Sequence, residues 1–167
     1  MKKRGNRRAG YTLVELIVSF ALIGIFLVAA STVIGSFLRI QARVSAQADA
    51  QTLSDTLLNT ISEPLVSMRY NEDKWSIEEG SIQFQDKEGR IVKIRAEDGR
   101  LVFDYVENVS TPGAVRPLAE KVYMGNEITE LKFSQDGANI TIRLTLQNQN
   151  GFIWEDGRTI RCYNWKK

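Results

Sequence analysis

Glu15 is the residue whose position most needs a chemical reason. It follows Leu13-Val14 and precedes Leu16-Ile17-Val18, so it lies inside an apolar run rather than beside it. An acid at the centre of a membrane helix costs about 2.5–3.5 kcal/mol, and less near an end. Two readings are open: Glu15 marks a membrane interface, or it meets a cation that neutralises it. The other chemistry-bearing groups read as structure. Glu78-Glu79, and Asp86 with Glu88, have the residue types of a glycosidase carboxyl pair, but Gly80 and Gly89 beside them predict solvated turns. Asp136-Gly137-Ala138-Asn139 and Asp156-Gly157 lack the spaced oxygens of a calcium loop and predict hairpin turns. Cys162 shares a strand face with Ile160, which predicts a buried, inert thiol.

The composition narrows the chemistry further. The chain has no histidine, which excludes histidine acid–base catalysis, Ser-His-Asp triads and histidine metal sites. A single cysteine cannot form an internal disulfide. No glycine-rich phosphate loop is present. Trp75, Trp154, Tyr163 and Trp165 are expected to pack at the core or at a sheet edge rather than form a binding patch. The expectation is a non-enzyme without cofactor or metal.

The elements around Glu15 are strongly segregated. Positions 1–10 hold five cations (Lys2, Lys3, Arg4, Arg7 and Arg8) and no acid. Taking those five from the 22 basic residues leaves 17 against 20 acidic ones, so the net charge of +2 belongs to this leader. The body, at about −3, gives no reason to expect nucleic-acid binding. From Leu16 to Leu38 there is no charged residue and no proline. That length suffices for a helix across a hydrocarbon core of roughly 30 Å, and exceeds the apolar core of a secretory signal peptide. With only Arg39 and Arg43 following closely, the charge bias predicts a cytoplasmic N-terminus and an exported body.

The stretch Arg8-Ala9-Gly10-Tyr11-Thr12-Leu13-Val14-Glu15-Leu16 resembles the cleavage and methylation signal of type IV prepilins and type II secretion pseudopilins. The resemblance implies that a prepilin peptidase cuts between Gly10 and Tyr11 and that Tyr11 is then N-methylated. It also implies that Glu15, about one helical turn away, meets the N-terminal amine of a neighbouring subunit during assembly. Tyrosine is less usual at the cut than phenylalanine or methionine. Many major pilins have a proline at the position of Thr32; its absence here resembles pseudopilins and minor pilins.

Beyond Leu38 the helix is expected to continue to about Ser62, with apolar residues at Ile40, Val44, Leu53, Leu57 and Ile61 and a stop at Glu63-Pro64. Downstream, Ile140, Ile142, Leu144 and Leu146 alternate with polar residues as a half-buried strand. Similar strands are expected at 81–86, 90–95, 100–106, 127–134 and 158–165, with turns at Glu88-Gly89, Asp98-Gly99, Asp136-Gly137, Asn150-Gly151 and Asp156-Gly157. A longer loop over 108–117 interrupts the antiparallel meander. The fold class is therefore α+β, a long N-terminal helix followed by a β-rich domain. Its expected parts are a leader (1–10), a transmembrane helix (11–38), an amphipathic extension (39–63) and a β-rich extracytoplasmic domain (64–167).

Pro117-Leu118-Ala119-Glu120-Lys121-Val122, followed by Ile128-Thr129-Glu130-Leu131-Lys132-Phe133 and a long alternating strand, is similar to J-type pseudopilins and W-type minor pilins. This resemblance implies a minor subunit that initiates or caps a filament of a pilus, type II secretion or competence system. The implied partners are prepilin peptidase, other pilin or pseudopilin subunits, an inner-membrane assembly platform and the lipid bilayer. The implied location is the cytoplasmic membrane, then the filament. A major filament subunit and an unrelated single-pass anchored protein are the competing readings.

Overall fold

The computed structural model describes residues 12–107 and 114–165. It contains one long helix, α1 (Leu13–Val66), and eight strands. The chain divides into two compact units, Met1–Val44 and Ser45–Lys167, and α1 runs through the border between them.

Among the described residues of the first unit the only element is α1, and its large apolar side chains from Leu13 to Val44 are exposed. Ile40 and Val44, the first two apolar positions of the expected extension, belong to this exposed part and not to the buried stripe. That stripe begins later, at Ala50, and continues through Leu53, Ser54, Leu57, Leu58, Ile61, Ser62 and Leu65. Its spacing of three and four residues is what a helix needs to present one apolar face.

The helix does not stop before Pro64; it passes through the proline and ends at Val66. Proline removes one backbone donor, a loss of about 3 kcal/mol in a helix interior. Extending the helix keeps Leu65 on the buried face, and the chain leaving it buries Met68, both fully. Burial of such side chains stabilises by roughly 1.5–3 kcal/mol each, enough to outweigh the missing bond.

The second unit packs this stripe against two antiparallel sheets. The first is a meander of five strands in sequence order: β1 (Ser76–Glu78), β2 (Ser81–Gln85), β3 (Ile91–Glu97), β4 (Arg100–Glu107) and β5 (Ala114–Pro117). The second is β6 (Asn126–Asp136), β7 (Asn139–Asn148) and β8 (Ile153–Arg161). The α+β class is thus the observed one. Strands β1 and β5 were not expected; β5 occupies the end of the predicted 108–117 loop, of which residues 108–113 lie outside the described ones.

Alternation sets the registers. Ile82 pairs with Ile94 and Phe84 with Val92, which places these fully or nearly fully buried side chains on one face. The β3–β4 turn at Asp98-Gly99 has positive φ at both residues (49° and 71°), the geometry that closes a two-residue hairpin with the twist of its strands. Its tip reaches the second sheet: the Ile128 amide donates to the Gly99 carbonyl at 3.0 Å. In β6 the alternation breaks at Thr129-Glu130, both exposed between buried Ile128 and Leu131, and a bulge absorbs the extra residue.

The last strand lies earlier than expected. Asn150-Gly151 does form the β7–β8 turn, with the Asn148 Oδ1 accepting from the Asn150 and Phe152 amides at 2.9 Å each. Pairing then begins at once, Ile153 against Gln147, and continues without interruption through Asp156 and Gly157. Asp156-Gly157 is consequently mid-strand and not a turn. Gly157 is there for closeness, since a Cβ would stand 2.9 Å from the Ile142 carbonyl oxygen. Tyr163 and Trp165 follow the strand instead of belonging to it.

Candidate functional site

Among the described residues, the site singled out in the sequence begins at Thr12; Gly10 and Tyr11 lie outside them. Thr12 caps α1. Its Oγ1 accepts from the Glu15 amide at 3.3 Å, and its carbonyl accepts from the Leu16 amide at 3.2 Å. Threonine followed three residues later by glutamate is the sequence signature of a helix start, and it was available at Thr12-Leu13-Val14-Glu15. Glu15 therefore stands in the first turn of the helix, where the exposed amides favour a negative charge. This is a local reason for an acid at this position, and it operates whether or not a neighbouring cation is present.

The helix behind Glu15 is suited to lipid. It is long and apolar enough to cross a membrane. Its polar side chains are also satisfied within the helix itself. Ser19 donates to the Glu15 carbonyl at 2.7 Å, Ser31 to Leu27 at 2.8 Å, Thr32 to Val28 at 3.0 Å and Ser36 to Thr32 at 2.9 Å. In hydrocarbon, where no water can complete a hydrogen bond, these four hydroxyls need no external partner. Nothing lies within 4 Å of a Cβ built at Gly24 or Gly35, so both leave the helix surface open to close approach.

Two of the carboxylates singled out in the sequence, Glu78 and Asp86, are tied up in structure. Glu78, in the β1–β2 hairpin, accepts from Lys93 Nζ at 2.8 Å, and this bond holds its pKa below the ordinary value. A general acid needs a shift in the opposite direction. Asp86 is buried and not solvated as expected. Its Oδ1 accepts from the Glu88 and Arg90 amides at 2.9 Å each, and its Oδ2 accepts from Arg90 Nε at 2.8 Å. One side chain thus organises the whole β2–β3 turn, and the Asp86 bond also raises the Arg90 pKa. Asp136 ends β6, and Gly137-Ala138 form its two-residue turn to Asn139. Among the described residues no three Asp, Glu or Cys side chains gather as a metal site.

Cys162 is buried, and burial pushes its thiol up to about 11, against the lowered value of a nucleophile. Of the four aromatics, Trp75, Trp154 and Trp165 pack against the core, whereas Tyr163 is 76% exposed. Trp165 stands 5.1 Å from Trp75 and 4.2 Å from Tyr70, centroid to centroid. Tyr70 had given no signal, because its neighbours in sequence show no periodicity.

Residues 5–31 match the family model described as the prokaryotic N-terminal methylation motif. No curated protein and no solved structure matches the chain significantly. The motif supports a type IV pilin- or pseudopilin-like protein that is anchored in a membrane, processed by prepilin peptidase and assembled with other pilins. It points to a structural subunit rather than an enzyme.

Proposed function

We propose, for a chain that carries the prokaryotic N-terminal methylation motif over residues 5–31, that it is a minor pilin or pseudopilin. In this reading prepilin peptidase removes residues 1–10, and the new N-terminal residue Tyr11 is methylated. Residues 11–38 then hold the subunit in the cytoplasmic membrane until an assembly platform moves it into a filament. Residues 39–63 extend the anchoring helix, and residues 64–167 face away from the cytoplasm. The match is the observation that carries the reading, and the capped, lipid-compatible helix supports it.

Glu15 has an assembly role in this proposal. Cleavage creates an ammonium at Tyr11, and a neighbouring subunit's ammonium paired with Glu15 would neutralise two charges that hydrocarbon tolerates poorly. Misregistered docking would leave both charges unpaired. The J-type or W-type rank, with a place at filament initiation or at the tip, rests on the resemblance of residues 117–133.

Mass spectrometry of the protein extracted from its native membrane tests the reading. The expected N-terminus is methyl-Tyr11, with a mass lower by the ten-residue leader. An intact leader would refute it. Sheared filaments then separate the ranks, since a minor subunit is scarce in them and a major subunit dominates.

A further inference from the structure

The first sheet carries a cleft that neither the anchor nor the assembly reading uses. On its helix-facing side Ile82, Phe84 and Ile94 are fully or nearly fully covered, but Phe103 and Tyr105 of β4 are only half-buried. Between these two rings, the end of α1 at Pro64, and Ser67 just beyond it lies an open cleft of about 430 Å³. Its floor is apolar and its rim is charged.

The charges are unevenly satisfied. Asp86 is committed to the turn amides and to Arg90, leaving Glu63 as the other carboxylate of the lining. Lys87 and Arg116 also line the cleft, and neither forms an ion pair among the described residues. Arg116 pairs in register with Phe103, so it stands on the same side of the sheet as that ring. The guanidinium carbons of Arg90 and Arg116 are 5.1 Å and 5.7 Å from the Tyr105 centroid. An edge strand thus presents a cation above an incompletely covered aromatic floor. Guanidinium forks beside apolar surface suit a carboxylate carried on an apolar stem.

We propose that this cleft binds an acidic segment of a partner protein. One apolar side chain of the segment sits on Phe103 and Tyr105, and its carboxylates pair with Arg116 and Lys87.

The test uses the full-length protein in detergent micelles and a fluorescein-labelled octapeptide of alternating glutamate and leucine. A glutamine-for-glutamate octapeptide is the control, and fluorescence anisotropy is the readout. Saturable binding of the acidic peptide alone is expected. Arg116→Glu should weaken it by about tenfold or more, as removal of a close charge pair does, and added salt should weaken it too. Ser67→Trp, which fills the mouth of the cleft from an exposed position, should abolish it. Equal binding of both peptides would overturn the proposal. So would unchanged binding by both variants when their thermal melts match the parent. A photoreactive residue at position 67 that cross-links to a second copy, with no peptide binding, would assign the cleft to self-association and equally overturn it.

Discussion

The backbone amide of Leu101 donates to the hydroxyl of Tyr123 at 2.6 Å, with both residues fully buried. Leu101 belongs to β4 of the first sheet, and Tyr123 ends the short 3-10 turn that leads into β6 of the second. The Arg100 guanidinium lies 4.4 Å from the Tyr123 ring centroid, and the Asn126 side chain donates to the Tyr123 carbonyl at 3.1 Å. The tyrosine is therefore a joint between the two sheets. Tyr123→Phe would leave the Leu101 amide buried without an acceptor, at a cost of about 1–3 kcal/mol. Urea denaturation should show that loss with little change in slope; an unchanged midpoint would mean that water reaches the amide.

Asp86 does comparable work in the β2–β3 turn, with three bonds accepted by one buried carboxylate. Asp86→Ala removes the acceptor for two amides and the partner of Arg90. The expected loss is about 2–3 kcal/mol, because hydrogen bonds to a charged group are worth more than neutral ones. Asp86→Asn should lose less, since it retains an oxygen for the amides. Comparing the two melts separates turn formation from ion pairing.

Gly157→Ala should destabilise by roughly 1–3 kcal/mol, the usual range for overpacking. The added Cβ would stand 2.9 Å from the Ile142 carbonyl oxygen on β7. The same change at Gly137 meets nothing within 4 Å, so crowding cannot act there, although its φ of +57° strains any side chain. A loss at 157 confined to unfolding, without loss of helix signal, is expected by circular dichroism.

These positions show why part of the molecule was legible beforehand and part was not. The helix and the β6–β7 strands follow from periodicity, since burial on one face dictates residue type every two or every three to four positions. At Asp156-Gly157 the sequence signal and the structure part for the opposite reason. An Asp-Gly pair is a turn signal by its local preference, but Asn150-Gly151 had already closed the hairpin, and the ladder from Ile153 onward overrode that preference. Pro64 is a stop signal by the same local logic, and the helix passes through it because tertiary burial of Leu65 outweighs one lost backbone bond. Asp86 reads as solvated from its glycine neighbourhood, while its three bonds depend on a loop geometry that residue types alone do not reveal. At the candidate site the capping pair Thr12 and Glu15 is legible in the sequence as a threonine followed three residues later by a glutamate, and it gives the acid a local reason beside its membrane cost.

Under the proposed assembly role, Glu15→Ala should leave leader removal intact while lowering the amount of the subunit in sheared filaments severalfold. Capping gives a control. Thr12→Ala removes the Oγ1 acceptor of the Glu15 amide and is expected to destabilise the helix start by about 1 kcal/mol, without touching the charge. Quantitative immunoblots of membrane and filament fractions compare the two. Normal incorporation of processed Glu15→Ala would remove the assembly role. An equal defect in both variants would reduce Glu15 to a helix-start residue.

Cys162 supplies a pH-dependent prediction. Burial raises its pKa from 9.0 to about 11. At pH 8 its native thiolate fraction is then about a hundredfold below that of the unfolded chain, and labelling by Ellman's reagent should be slowed correspondingly. The sign of the linkage follows from the folded state holding its proton more tightly. The stabilising contribution is fully present below about pH 9 and is lost as the pH rises through about 11. Comparison with Cys162→Ala isolates this group from the lysines and tyrosines that titrate in the same range. The stability difference between parent and variant should shift against the parent as the pH rises from 8 to 11. A pH-independent difference, or rapid labelling of the native protein at pH 8, would show that the thiol is reachable by solvent.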